Sequence, residues 1–254
     1  MKINFQLITF LLLCIIAIIA SIAISTTEPF SELKSRVVYV FWTGNNPMSG
    51  NRKQCLENLK QVSKCQVLLI TPQNLNQYII QEHPLHEAYE YLSYTHRADY
   101  LRTYFMHFHG GGYSDIKKTP ASWVSAFEEI ENNENVHING YREKQAGDIA
   151  NPDVLKTYSY DKFIGNGAYI VRPNTAFTQQ WYGEMMKLLD SKIEGLRKYH
   201  KLGADKHPQE CKEMNPNYPI EWNEMLGRIF HKVQCDHIHN IAYSVPYPIV
   251  TDYR

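Results

Sequence analysis

Several absences narrow the possibilities before any motif is considered. Five cysteines occur in 254 residues, and none of them forms the paired C-x2-C spacing of a zinc site. No N-x-[ST] glycosylation acceptor occurs, which neither places the chain in a secretory lumen nor excludes it. There is no collagen period, no heptad array and no internal repeat of solenoid length. G-x-S-x-G, H-E-x-x-H and G-x-x-x-x-G-K-[ST] are missing, which removes the nucleophile elbow, the helical zinc protease and the P-loop. Net charge is missing too, with 26 Lys+Arg against 26 Asp+Glu. Setting aside residues 1–27, which hold Lys2 and no acid, leaves a formal charge of −1. Such a surface has no bulk attraction for nucleic acid or anionic lipid, and basic residues are not interleaved with aromatics.

What is present suits a folded domain. Aromatics make up 13% of the chain, 18 of them Tyr, which argues against disorder. Residues 28–254 are enough for one globular domain, or at most two small ones, burying roughly 70–75% of the unfolded surface. Ahead of them, Leu7 to Ile24 reads LITFLLLCIIAIIASIAI without a charge. At 1.5 Å per residue this segment spans about 27 Å, close to one hydrocarbon core. Its length favours an uncleaved signal anchor over a cleaved signal peptide, whose apolar core is usually ~7–15 residues. Ser21-Ile22-Ala23 is the alternative cleavage site. The expected organisation is a short cytosolic tail at 1–6, an anchor at 7–24, a polar stem at 25–35 and a catalytic domain at 36–254. That makes a single-pass type II membrane protein with its domain lumenal or extracytoplasmic, Golgi-like if the source is eukaryotic. In that compartment Cys55, Cys65, Cys211 and Cys235 have two readings: two disulfides, most simply 55–65 and 211–235, or four buried free thiols.

The domain alternates strand and helix. Val37 to Trp42 is an unbroken apolar run ending in Thr43-Gly44-Asn45-Asn46-Pro47, as expected of a strand buried on both faces. A helix over 51–63 and a strand over Val67–Ile70 complete a βαβ unit. Ser93 to His109 reads as a helix capped by Ser93 or Thr95 and stopped by Gly110, with Ala98, Leu101, Phe105 and Phe108 as its apolar stripe. Asp99, Arg102 and His109 lie off that stripe. Gly110-Gly111-Gly112 leads into a short strand, Tyr113–Ile116. Further on the pattern predicts a helix over 122–131, a strand near Val136, a polar loop region over 139–163 and a strand over Ala168–Val171. Helices over 174–194 and 220–232 and a strand near 241–245 follow. The expected class is α/β with a mainly parallel sheet, in which ligands bind at the carboxyl ends of strands. Trp42-Thr43-Gly44 and Asp115 fall at such ends.

Taken singly, Asp99 and Arg102 at i,i+3 could be a surface pair, and Asp115 a turn residue. Taken together, residues 96–117 spell HRADYLRTYFMHFHGGGYSDIK. This resembles the signature of glycosyltransferases with a DXD sugar-binding region, a group that includes glycosyltransferase family 32 and the capsular polysaccharide synthesis proteins. Asp99, Arg102, Gly111, Gly112, Tyr113 and Asp115 match in order and spacing. Val40–Gly44, Phe163–Gly167 and Tyr218–Gly227 extend the likeness as the first strand and its nucleoside-facing turn, a glycine-rich acceptor-side loop and a C-terminal block.

The resemblance implies a GT-A type fold and retaining hexosyl transfer from a nucleotide-sugar to a glycan or glycolipid acceptor. It implies donor contacts from Trp42, Gly44, Asp99, Arg102, Tyr113, Asn166 and Gly167, with Asp115 as the first carboxylate of Asp-x-Asp. The second carboxylate does not carry over, because that position is Lys117. A divalent ion needs oxygen ligands, whereas lysine is itself a phosphate-binding charge. Two readings follow. In one, the enzyme is metal-free and Lys117 or Lys118 neutralises the diphosphate. In the other, Asp115 holds Mn²⁺ or Mg²⁺ with help from His237 or His239, which would share a face of an extended Asp236–His239 segment. An inactive nucleotide-sugar binder on the same fold and a secreted phosphate-handling hydrolase are the rival functions.

Overall fold

Residues 36–201 and 215–253 are described by the computed structural model. The expected membrane segment Leu7–Ile24 and residues Cys14 and Cys211 lie outside them. Among the described residues, no helix is long and apolar enough to cross a membrane.

The first strand, β1 (Val37–Phe41), alternates its side chains between two cores. Tyr39 and Phe41 enter one core, and Val38 and Val40 enter the other, which is why the run is apolar throughout. Helix α1 (Gly50–Val62), capped by Ser49, leads to β2 (Gln66–Ile70), paired parallel to β1 from Val37↔Gln66 to Phe41↔Ile70. Helix α2 (Tyr94–Phe108) starts where the Ser93 side chain accepts from the His96 N–H at 3.1 Å. It stops at Gly110 and Gly111, with φ of +67° and +85°. A Cβ on Gly110 would lie 2.4 Å from Pro173 Cδ, so this turn requires glycine. Strand β3 (Gly111–Ser114) pairs parallel to β1 and begins two residues before the expected start, because Gly111 and Gly112 themselves form the ladder.

The region expected as loop over 139–163 departs most from expectation. After α3 (Val124–Asn132), strand β4 (Ile138–Arg142) is buried for four of its five residues. Asn139 and Gly140 break the apolar pattern in sequence. In the fold, Asn139 is a satisfied hub, with its amide donating to Ala126 O at 3.0 Å and Ser244 Oγ at 2.8 Å. Strand β5 (Ile164–Val171) starts four residues earlier than expected and absorbs Gly165-Asn166-Gly167, so the presumed acceptor-side loop is a strand. Helix α4 (Ala176–Lys201) buries Phe177, Trp181, Met185, Leu189, Ile193 and Leu196 along one stripe. The helix expected over 220–232 is instead a π-turn, Glu224–Arg228, running into α5 (Ile229–Asp236). Strand β6 (Ile241–Ala242) is shorter than expected.

The sheet order is β2-β1-β3-β5-β4-β6. Five strands run one way and β5 runs against them. The architecture is therefore mixed α/β and mainly parallel. Helices α2, α4 and α5 cover one face, while α1 and α3 cover the other. The C-terminal stretch returns along the carboxyl end of β3, where the Ile249 N–H donates to Lys118 O at 2.8 Å. Cys55, Cys65 and Cys235 are free thiols, so the 55–65 disulfide is not made. Cys55 is wholly buried on α1, inside the apolar core.

Candidate functional site

Asp115 follows β3 at the carboxyl end of the sheet, and its N–H donates to Gly167 O at 2.7 Å. Three donors converge on its carboxylate. Tyr113 OH reaches Oδ1 at 2.6 Å, Arg102 Nη2 reaches the same oxygen at 3.1 Å, and Lys117 Nζ reaches Oδ2 at 2.8 Å. Arg102 projects from the third turn of α2. Its Nη1 donates to Asn166 O at 3.1 Å, its Nη2 lies 3.7 Å from Asp99, and its guanidinium sits 4.3 Å over the Tyr113 ring. One helix, two strands and the turn after β3 are thus tied through a single guanidinium. Gly167 keeps the carboxylate accessible, since a Cβ there would stand 3.3 Å from Asp115 Oδ2.

The electrostatics follow from these contacts. Burial pushes the Asp115 carboxyl up, but Arg102 and then Lys117 outweigh it and hold the carboxyl below its ordinary value. Burial also opposes the charge on Arg102, and Tyr113, Asp115 and Asp99 overturn that effect, so the guanidinium stays charged. Burial raises the Tyr113 phenol well above its usual range, so it remains a neutral donor. The side chains of Asp115, Lys117 and Arg102 keep 23%, 16% and 12% exposure, enough for a ligand to touch each of them. An ammonium has three donors, and Lys117 spends one on Asp115.

Asp99, Arg102, Tyr113, Asp115, Lys117, Asn166 and Gly167 are brought together as the sequence suggested. Trp42 and Gly44 lie at the same end of the sheet, beyond β1. Trp42 Nε1 donates to Asn46 O at 2.8 Å, and Thr43 Oγ1 donates to Tyr94 O at 2.5 Å, fixing that turn against the start of α2. The C-terminal block reaches the same helix end through Tyr218, whose hydroxyl accepts from the Ser93 N–H at 3.2 Å. His237 and His239 are not brought in. Asp236–His239 is a helix end and a 3-10 turn rather than an extended segment. His237 bonds Gln180 at 2.8 Å and sits near His137, at the amino end of β4 and so at the opposite end of the sheet from Asp115.

The donor set does not fit a divalent ion. Asp115 stands as one carboxylate with both oxygens already engaged by cations or a phenol. Among the described residues, no group of three His, Cys, Asp or Glu is positioned for a metal.

Two further features were hidden by the loop expected over 139–163. Tyr141 accepts from the Gly167 N–H at 3.1 Å, bracing β5 beside Asp115. Glu143, one residue past β4, is 8% exposed. Burial and then Asp148 raise its carboxyl to about 7, with Lys117 opposing them. The Tyr253 ring, from the C-terminal stretch, lies 5.1 Å from Lys117 Nζ and 4.7 Å from the Arg52 guanidinium.

One comparison, with a family model, agrees with the signature. Residues 16–117 match a family described as capsular polysaccharide synthesis protein. No curated protein matches the chain. Among solved structures, PaToxG Glycosyltransferase is similar at 11% identity and a TM-score of 0.40, over 80% of this chain and 70% of that one. The matched stretch contains α2, the glycine turn, Asp115 and Lys117, and over it the chain is similar to the capsular polysaccharide synthesis and family 32 glycosyltransferase group that residues 96–117 resemble.

Proposed function

We propose that this protein is a GT-A type glycosyltransferase that moves a hexosyl group from a nucleotide-sugar to a glycan or glycolipid acceptor, with retention at the anomeric carbon. One observation carries the reading. Arg102, Asp115 and Lys117 form an accessible cluster with one net positive charge at the carboxyl ends of β1 and β3, where α/β sheets bind nucleotides. In this reading Arg102 and Lys117 face the diphosphate, and Asp115 and Asp99 face ribose or sugar hydroxyls. Trp42 and Gly44 flank the nucleoside. Lys117 supplies the positive charge that a metal supplies in an Asp-x-Asp enzyme.

A nucleotide-sugar panel followed by thermal unfolding, with and without Mn²⁺, tests this. One nucleotide class should raise Tm without needing the metal, as any ligand selective for the folded state does. No shift with any nucleotide-sugar or nucleoside diphosphate would overturn the reading. An inactive binder is the second reading, favoured by the engagement of both Asp115 oxygens. Slow donor hydrolysis that is lost in Asp115→Asn separates the two.

The uncharged run Leu7–Ile24 supports single-pass anchoring, with the domain on the non-cytosolic side. The protein should then stay in the membrane pellet after alkaline carbonate extraction. A soluble product beginning near residue 24 would show cleavage instead.

A further inference from the structure

Lys117 is held by more than its bond to Asp115. The stretch after β6, residues 243–253, passes over the turn that follows β3 and brings an aromatic ring to the ammonium. The Tyr253 ring centroid lies 5.1 Å from Lys117 Nζ and 4.7 Å from Arg52 Cζ, both within cation–π range. We propose that Tyr253 is a positioning residue of this site, its ring holding the Lys117 ammonium where the departing diphosphate meets it; the inference rests on the transferase reading.

The stretch is fastened to the domain along its length, so the ring is not a loose neighbour. The Val245 N–H donates to Gly140 O at 3.3 Å. Tyr247 meets the Tyr141 ring edge-on at 4.8 Å, with Lys144 Nζ 3.5 Å over its own ring. Ile249 pairs antiparallel with Lys118, its N–H donating to Lys118 O at 2.8 Å. Tyr247 and Tyr253 are both half-buried against the core that α1 and α3 cover.

The backbone of the turn is tied on both sides of Lys117. Arg52 Nη1 donates to Ile116 O at 2.8 Å, and Ile249 holds Lys118 O. The flexible four-carbon stem is then what decides where the ammonium stands. Asp115 and Tyr253 fix its end, and they do so differently. Asp115 takes one of the three N–H donors. A ring face attracts the charge through its quadrupole and offers no carboxylate to compete with a phosphate oxygen. At 16% exposure the lysine side chain is largely out of water, which strengthens that attraction.

A cation already in place when charge develops on the leaving diphosphate needs no reorganisation at that moment. Tyr253 therefore acts on turnover, and it acts through Lys117. That gives the role a signature that general packing lacks: the effect of removing the ring disappears when Lys117 is absent. Arg52, held on the same ring, links α1 to this arrangement without touching Asp115 in place of Lys117.

The test uses the full chain and the nucleotide-sugar that raises its Tm, following donor hydrolysis, with the matching nucleoside diphosphate as the binding probe. Tyr253→Leu should lower turnover about 3- to 30-fold while diphosphate affinity stays within roughly twofold. Tyr253→Met, which also lacks a ring, should show the same loss and serves if the leucine variant folds poorly. Tyr253→Phe keeps the ring face and should recover most of the turnover. In a Lys117→Ala background, Tyr253→Leu should change turnover by less than about twofold. Wild-type turnover in Tyr253→Leu or Tyr253→Met, an equal loss in Tyr253→Phe, or an undiminished loss in the Lys117→Ala background would overturn the role while leaving the transferase reading intact. A wild-type protein that binds the diphosphate but breaks down no donor would overturn the transferase reading and this role with it.

Discussion

Arg102→Ala is expected to weaken nucleoside diphosphate binding by about 1.5–3 kcal/mol, roughly 10- to 150-fold, by removing a charge-assisted contact. It should also destabilise the protein. Arg102 joins Asp99, Asp115 and Asn166, and its side chain is 12% exposed beside an Asp99 side chain that is 5% exposed. Removing one partner of a largely buried charge pair costs about 3–5 kcal/mol, because the other charge is left behind. Lysine should restore little, since it lacks the planar fork that reaches Asn166 O and Asp115 together. Calorimetric titration with a nucleoside diphosphate and urea unfolding would measure the two effects. The pH dependence has a defined sign. The Asp115 value is depressed in the fold, so its stabilising contribution is complete above the ordinary 3.8 and is lost as pH falls through the folded value. The stability gap between wild type and Arg102→Ala should therefore narrow in acid. Unchanged diphosphate affinity in a folded variant would reduce Arg102 to a structural ion pair.

Lys117→Ala should lower turnover by a factor of about 10²–10³ and donor affinity by much less, because charge on the diphosphate develops as the sugar departs. Wild-type activity should survive EDTA. Lys117→Asp removes the ammonium that sits 2.8 Å from Asp115 and rebuilds Asp-x-Asp, so any remaining activity should come to depend on Mn²⁺. Wild-type activity abolished by EDTA and restored by Mn²⁺ would refute the metal-free reading. Full activity in Lys117→Ala would leave this lysine a structural partner of Asp115 and make Lys118 the next candidate.

The fold was most legible where local signals suffice. The start of α2 at Tyr94 follows from the Ser93 cap, and its end from the glycines at positive φ. The βαβ unit from Val37 to Ile70 follows from two continuous apolar runs around one helix. Strand β4 was not legible, because Asn139 and Gly140 read as loop residues until Ala126 O and Ser244 are seen to satisfy the amide. Nor was the extent of β5, where glycines are tolerated because the Tyr141 ring fills the space beside Gly165. The histidine pair misled for the opposite reason: its spacing assumed an extended segment, and the chain there is helical and then turns.

The sequence by itself determined the α/β class, the membrane-length apolar run at 7–24, and the set Asp99, Arg102, Tyr113, Asp115 and Lys117. These depend on periodicity, caps, turn residues and the order of chemical groups along one short segment. Only the tertiary structure decided that β5 runs against its neighbours and that Arg102 ties α2 to β3 and β5. It likewise decided that Lys117 bonds the Asp115 carboxylate and that Glu143 is a buried residue directly after β4. The Arg102 contacts depend on strand register and on which side chains meet across 13 to 64 residues of chain, and local propensity carries no information about such meetings.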